Sequence, residues 1–307
     1  MFSFKKKTTP IQNMAFMALM AAINIVFVLL TTFVPVLVVL IIFVLPLTSV
    51  LVTLFCQKRY YPLYFVATIA LCMICTIWNI SDTIFYVIPS MIAGFIFGIF
   101  VIYKFPLLYL ILGPSIVYFA FAYAFIPLIK FWLNIDIVNT FLVAFKLENF
   151  ENIGIIIPSF IFVIALIQSI ISYIIIKDEI AKFGNDIIEK KAFSWINILM
   201  CALLIALSVT FAFFYLPFAY LFMIINLIIV FYLIGLDILE RNRLGLIISG
   251  VAFFITFLAF SIAYQYLPNK SQFLMVNLLY IIVLIKTIIN KCLLRENNKD
   301  KINTPEE

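Results

Sequence analysis

Cys72 and Cys75 form a C-x-x-C in the run Leu-Cys-Met-Ile-Cys-Thr, the first place to look for chemistry in this chain. Where such a pair does redox work it sits at a helix N-terminus, whose dipole stabilises a thiolate. Here it lies in the middle of an apolar stretch, so both residues read as small buried hydrophobes. The five cysteines form no secreted disulfide framework, and the chain has no histidine. That removes the commonest general base, metal ligand and proton-relay residue. No nucleophile–base arrangement, phosphate loop or metal-ligand cluster is visible, so the expectation is no enzyme, no cofactor and no metal.

What remains is amide chemistry. Asn24, Asn79, Gln168, Asn197, Asn226, Gln265 and Asn277 lie inside apolar runs. In lipid such groups usually bond across helices, each contributing about 0.6–2 kcal/mol. Asn79, Asp82 and Gln265, together with Asn134 and Asp136 in a connecting segment, are candidate contacts for a small-molecule ligand on the outer side. Asp82 also suits the cap of the helix that follows it. Lys286, four residues from the end of a span, is expected to snorkel to the headgroups. Buried charge is thus nearly absent, which argues against a membrane-embedded proton relay.

The elements that must position these residues follow from charge-free runs. Thr8–Gln57 has no charged side chain, and the pattern recurs over Tyr60–Ser81, Thr83–Tyr103, Phe105–Ile129, Asn152–Ile176, Ala192–Leu236 and Leu244–Asn269, with a shorter run from Ser271. A bilayer core is crossed by about 20 apolar residues in a helix. The chain is 66% hydrophobic and 11% charged over 307 residues, with a mean hydropathy of +1.24. A soluble domain is about 25% charged. The net charge of +6 is spread between apolar spans and not gathered in one patch, so it anchors the chain to a bilayer and does not indicate nucleic acid.

Pro35 and Pro217 divide the two longest runs. The expected spans are 11–34, 36–56, 61–80, 83–103, 105–129, 153–176, 195–215, 217–236, 245–266 and 272–290. With the amino terminus inside, only Lys130, Lys146 and Lys270 of the 20 basic residues fall outside, which leaves 17 on the cytoplasmic side. Both termini are then cytoplasmic, and the apolar stretch after Lys5-Lys6-Lys7 is an uncleaved first span. The fold class is all-α: a polytopic integral membrane protein with a six-span domain over 1–176, a cytoplasmic linker or amphipathic helix over 177–194, and a four-span domain with a short charged tail over 195–307. The external segment 131–150 has Ile135, Val138, Leu142 and Phe145 at helical spacing. It reads as an amphipathic helix, either a lid over an outer site or an ordinary interfacial helix.

Small residues offer close-contact faces. Ala15, Ala18 and Ala22 form a stripe on the first span, suited to partner docking, and Gly94-x-x-x-Gly98 forms a second face suited to helix packing. The lysine cluster, the run Met-Ala-Phe-Met-Ala-Leu-Met-Ala-Ala and the turn at Pro35 resemble the YybS-like family of predicted bacterial multi-pass membrane proteins of unknown function. That family is similar to the six-span S components of energy-coupling-factor transporters, which dock a transmembrane coupling subunit through an A-x-x-x-A motif on the first span. Ala18 and Ala22 match that motif, and the likeness covers at most residues 1–176. The resemblance implies a bacterial plasma membrane, a small-molecule ligand, and a coupling subunit with its ATPases as partner. None of the ligand-binding residues of S components is recognisable in this chain. Two other readings stay open: a structural or regulatory protein that organises envelope partners, and a secondary transporter of two inverted five-span repeats.

Overall fold

A computed structural model describes residues 7–34, 38–77, 80–144, 153–182, 194–239, 242–266 and 275–290. No strand occurs among the described residues. The helices are α1 (Pro10–Phe33), α2 (Val38–Phe55), α3 (Tyr61–Cys75), α4 (Ile80–Asp82), α5 (Ile88–Ile102), α6 (Leu107–Leu133), α7 (Ile137–Ala144), α8 (Ile157–Lys182), α9 (Ser194–Phe214), α10 (Leu216–Leu239), α11 (Arg243–Tyr266) and α12 (Met275–Asn290). Seven helical segments are long and apolar enough to cross a membrane: Pro10–Thr31, Thr83–Ile102, Leu107–Leu133, Ile157–Asp178, Trp195–Phe214, Leu216–Ile238 and Arg243–Ile262. Val44–Phe55 and Met275–Asn290 are apolar but shorter. The protein is therefore an all-helical, multi-pass membrane protein. In lipid a backbone satisfied within its own helix is one of the few arrangements that leaves no polar group stranded.

The chain divides into two compact units. One comprises Met1–Ile153 and Phe160–Lys191, the other Gly154–Ser159 and Ala192–Glu307. In the first unit, the start of α1 is fastened to the end of α2. Thr9 caps α1 by accepting the Gln12 N–H at 3.3 Å, and Pro10 takes the first helical position, where its missing N–H is not needed. Buried Asn13 donates to the carbonyls of Thr9 (2.8 Å) and Lys7 (3.1 Å), and its Oδ1 accepts the Gln57 N–H at 2.9 Å. One amide thus satisfies backbone groups at two helix ends that lipid could not solvate.

The α2–α5 contact depends on missing side chains. A Cβ on Gly94 would stand 2.5 Å from the Pro46 carbonyl oxygen and 2.7 Å from Ser49 Cβ. One on Gly98 would stand 2.7 Å from Thr53 Cβ. With no hydrophobic drive between helices in lipid, this close backbone approach supplies the dispersion contact that joins them.

Three local expectations differ from what is observed. Segment 131–150 is not one helix: α6 continues through Leu133, Asn134 takes a left-handed conformation (φ 55°), and α7 starts afresh at Ile137. Asn tolerates that conformation because its short side chain bonds locally. Residues 145–150 lie outside the described residues. The linker is also shorter than expected at its start, because α8 continues to Lys182 and takes Lys177, Asp178 and Glu179 into its last turns. Residues 183–193 lie outside the described residues. Finally, Asp82 does not open a helix from a loop. It ends α4 and runs directly into a π-helical turn over Thr83–Val87 and then α5, so it sits within a continuous helical stretch. Single π turns of this kind occur mostly as insertions inside α-helices.

Candidate functional site at the junction of three helices

Asp237 lies near the C-terminal end of α10, where the helix dipole is unfavourable to a carboxylate. It is nevertheless only 7% exposed. What holds it is the start of α11. Asn242 caps that helix: its Oδ1 accepts the Gly245 N–H at 3.0 Å, and its own backbone N–H donates to the Asp237 carbonyl at 2.9 Å. The Asn242 side-chain amide then donates to Asp237 Oδ1 at 3.2 Å. Gly245 makes the approach feasible, since a Cβ there would lie 2.8 Å from Asp237 Oδ1 and 2.7 Å from Asn242 Nδ2.

Lys286, from α12, completes the junction. Its ammonium pairs with Asp237 Oδ2, donates to Ser249 Oγ at 2.7 Å, and reaches the Gly245 carbonyl at 3.4 Å. Ser249 in turn donates to the Gly245 carbonyl at 2.9 Å, which leaves its lone pairs for the lysine. An ammonium has three protons, and three oxygens surround this one. Lys286 is 4% exposed, so it does not snorkel to a headgroup region. The expectation that the helices bury almost no charge is corrected here: Lys286 and Asp237 are both buried and pair with each other.

The first unit has a polar junction of a different kind. Asn24 of α1 donates to the Tyr64 hydroxyl of α3 at 3.0 Å, and Thr48 of α2 lies 2.8 Å from Asn24 Oδ1. The Tyr64 hydroxyl is 3.3 Å from Thr48 Oγ1. All three are buried. Elsewhere in this unit Gln168 of α8 donates to Ser90 of α5 at 3.1 Å, and Ser115 of α6 donates to Ser169 of α8 at 3.0 Å. In the second unit, both polar atoms of the buried Asn277 side chain lack a hydrogen-bond partner among the described residues.

The residues singled out from sequence fall as follows. Ala15, Ala18 and Ala22 are exposed along α1, whose opposite side buries Met17, Met20, Ala21 and Asn24. Gly94 and Gly98 lie buried against α2. Asn134 and Asp136 share one connection: Asp136 caps α7 by accepting the Asn139 N–H at 3.1 Å and pairs with Lys130 at 2.7 Å. The Lys130 ammonium and that N–H hold its carboxyl below the usual carboxylate range. This arrangement satisfies Asp136 locally and leaves it engaged with its own helix ends. Asn79 lies outside the described residues. Asp82 and Gln265 are placed by backbone only, on α4 and α11, and Gln265 belongs to the second unit.

Sequence reasoning missed Asp237, Asn242, Gly245 and Ser249. A signal was present: the charge-free runs Ala192–Leu236 and Ser271–Ile285 each stop at a single charge, and the two charges are opposite. The spacing D-x4-N-x2-G-x3-S supplies the cap, the gap and the hydroxyl one turn further on. No protein-family model, curated protein or solved structure matches this chain.

Proposed function

We propose that the protein is a non-enzymatic subunit that binds or transports a small solute across a bacterial plasma membrane, with about ten spans and both termini in the cytoplasm. The observation that carries this reading is the Asp237–Lys286 pair. Charged groups inside spanning helices are expensive, and an apolar pair would hold three helices together as well or better. A protein that keeps the charges gains a contact that can be made and broken as a solute passes. In this reading the uncovered face of α1 with Ala15, Ala18 and Ala22 docks a transmembrane coupling subunit with its ATPases, in the manner of the S components that the chain resembles.

The test is a thermal-shift screen of the purified chain in mild detergent against vitamins and metabolites, with co-purification from native membranes alongside. A reproducible shift with one compound supports the reading. No shift with any compound, and no coupling partner recovered, would leave a structural or regulatory membrane protein in its place. Ala18→Leu with Ala22→Leu is expected to abolish recovery of a coupling subunit while leaving any solute shift intact. A second reading, an ion-coupled secondary transporter, is favoured by the same ion pair, because charge within the helices is the usual mark of ion coupling. It predicts a solute shift with no ATPase partner.

A further inference from the structure

We propose that the oxygen cluster around Lys286 Nζ is a monovalent-cation site which the chain fills with its own ammonium group. The donors are one carboxylate, Asp237 Oδ2, one hydroxyl, Ser249 Oγ, and one backbone carbonyl, that of Gly245. All are hard oxygen ligands of the kind that coordinate hard cations, and no sulfur or imidazole is among them. One carboxylate balances a single positive charge, which fits a monovalent occupant and not a divalent one.

The cluster is also assembled without the lysine. Asn242 holds the Gly245 N–H and grips Asp237 Oδ1, while Ser249 is anchored on the Gly245 carbonyl. These contacts lie within α10, α11 and Asn242, which immediately precedes α11, whereas Lys286 enters from α12. Trimming the lysine side chain therefore leaves the oxygens in position and opens a buried channel where its stem ran. A small primary alkylammonium carries the same three-proton head and an apolar tail for that channel. The inference rests on the reading of this junction as the working part of the protein. Its test reads cation binding to a variant, so it can fail while solute binding succeeds, and the reverse.

The experiment uses the full chain in detergent and follows the thermal unfolding midpoint of Lys286→Ala against increasing ethylammonium chloride, with choline chloride at equal ionic strength as control. The site predicts a saturable upward shift with ethylammonium and none with choline, whose quaternary nitrogen has no N–H to donate. Wild type is expected to show no such shift, because its site is filled. Lys286→Met, whose side chain blocks the channel, and Lys286→Ala combined with Asp237→Asn, which lacks the charge, are expected to show none either. An equal shift in all four chains, or no shift in a folded Lys286→Ala, overturns the proposal. If Lys286→Ala does not survive extraction, extraction itself is the readout. Recovery in ethylammonium but not choline supports the site, and recovery in neither overturns it.

Discussion

Each unit of the molecule ties three helices together with three buried polar side chains, and the two do so with different chemistry. In the first unit Asn24, Thr48 and Tyr64 of α1, α2 and α3 are all neutral. In the second, Asp237, Ser249 and Lys286 of α10, α11 and α12 include a full charge of each sign. A neutral group that loses its partner is left unsatisfied, at a penalty of about 1–3 kcal/mol. A buried charge that loses its partner costs about 3–5 kcal/mol, although the intact pair adds little net stability over an apolar one. The first junction is thus a fixed tie. The second is held conditionally, stable while complete and strongly unfavourable when opened, and that is the property a moving part needs.

The largest effect should come from halving the charged junction. Lys286→Met is expected to destabilise the chain by about 3–5 kcal/mol, because Asp237 stays buried with no cation. Adding Asp237→Asn should restore most of the loss while keeping the acceptor that Asn242 uses. Unfolding midpoints in detergent for the two single variants and the double variant measure the coupling. A double variant as unstable as Lys286→Met would place the damage in lost packing around the stem and not in charge.

Glycine contacts rank next, and they separate the two units by mechanism. Gly94→Ala pushes a methyl group into the backbone of α2 at Pro46, so the α2–α5 spacing must widen, at about 1–3 kcal/mol. Gly245→Ala meets the Asp237 carboxylate and the Asn242 amide instead, with a similar expected loss. In a background of Asp237→Ala with Lys286→Met the Gly245→Ala effect should shrink, because the carboxylate it strikes is gone. The Gly94→Ala effect should be unchanged there. Thermal unfolding of the combined variants tests both statements, and a Gly245→Ala penalty that stays constant would detach the glycine from the ion pair.

Much of this architecture is readable in the sequence because lipid allows few solutions. A charge-free run must become a helix that bonds its own backbone, and the observed α1 (Pro10–Phe33) lies within one residue of the expected 11–34 at both ends. Local breaks were harder to read. Asn134 and Asp136, spaced as a helix terminator and a new cap, compete with the apolar spacing of Ile135, Val138 and Leu142, and the local hydrogen bonds won. The ion pair was harder still, because Asp237 and Lys286 are 49 residues apart and each stands at the edge of a run that its own charge terminates. An edge residue reads as a headgroup anchor unless its partner is known, and that knowledge belongs to the tertiary fold.

In the neutral junction, Tyr64→Phe removes the hydroxyl that accepts the Asn24 amide and leaves that amide short of a partner. The expected loss is about 1 kcal/mol, clearly below that of Lys286→Met. Thermal unfolding at several pH values should show the same gap throughout, since no member of this junction carries charge. A loss as large as that of Lys286→Met would mean the neutral tie also holds the surrounding packing, and the contrast between the units would weaken.

The smallest effect belongs to the ion pair outside both junctions. Lys130 and Asp136 are 2.7 Å apart, but their side chains are 63% and 39% exposed, so water and salt screen them. Asp136→Asn keeps the cap on Asn139 and loses only the charge, an expected change of about 0.5 kcal/mol or less. Its pH dependence has a definite sign. The folded carboxyl is held below its ordinary value, chiefly by Lys130 and then by the Asn139 N–H, so its contribution is fully present above the ordinary carboxylate range and is lost as pH falls through the lower folded value. The difference in unfolding midpoint between wild type and Asp136→Asn should be flat near neutrality and close only in acid. High salt should erase it, whereas the Lys286→Met difference should survive, because the methionine side chain fills the path by which a cation would reach the buried carboxylate.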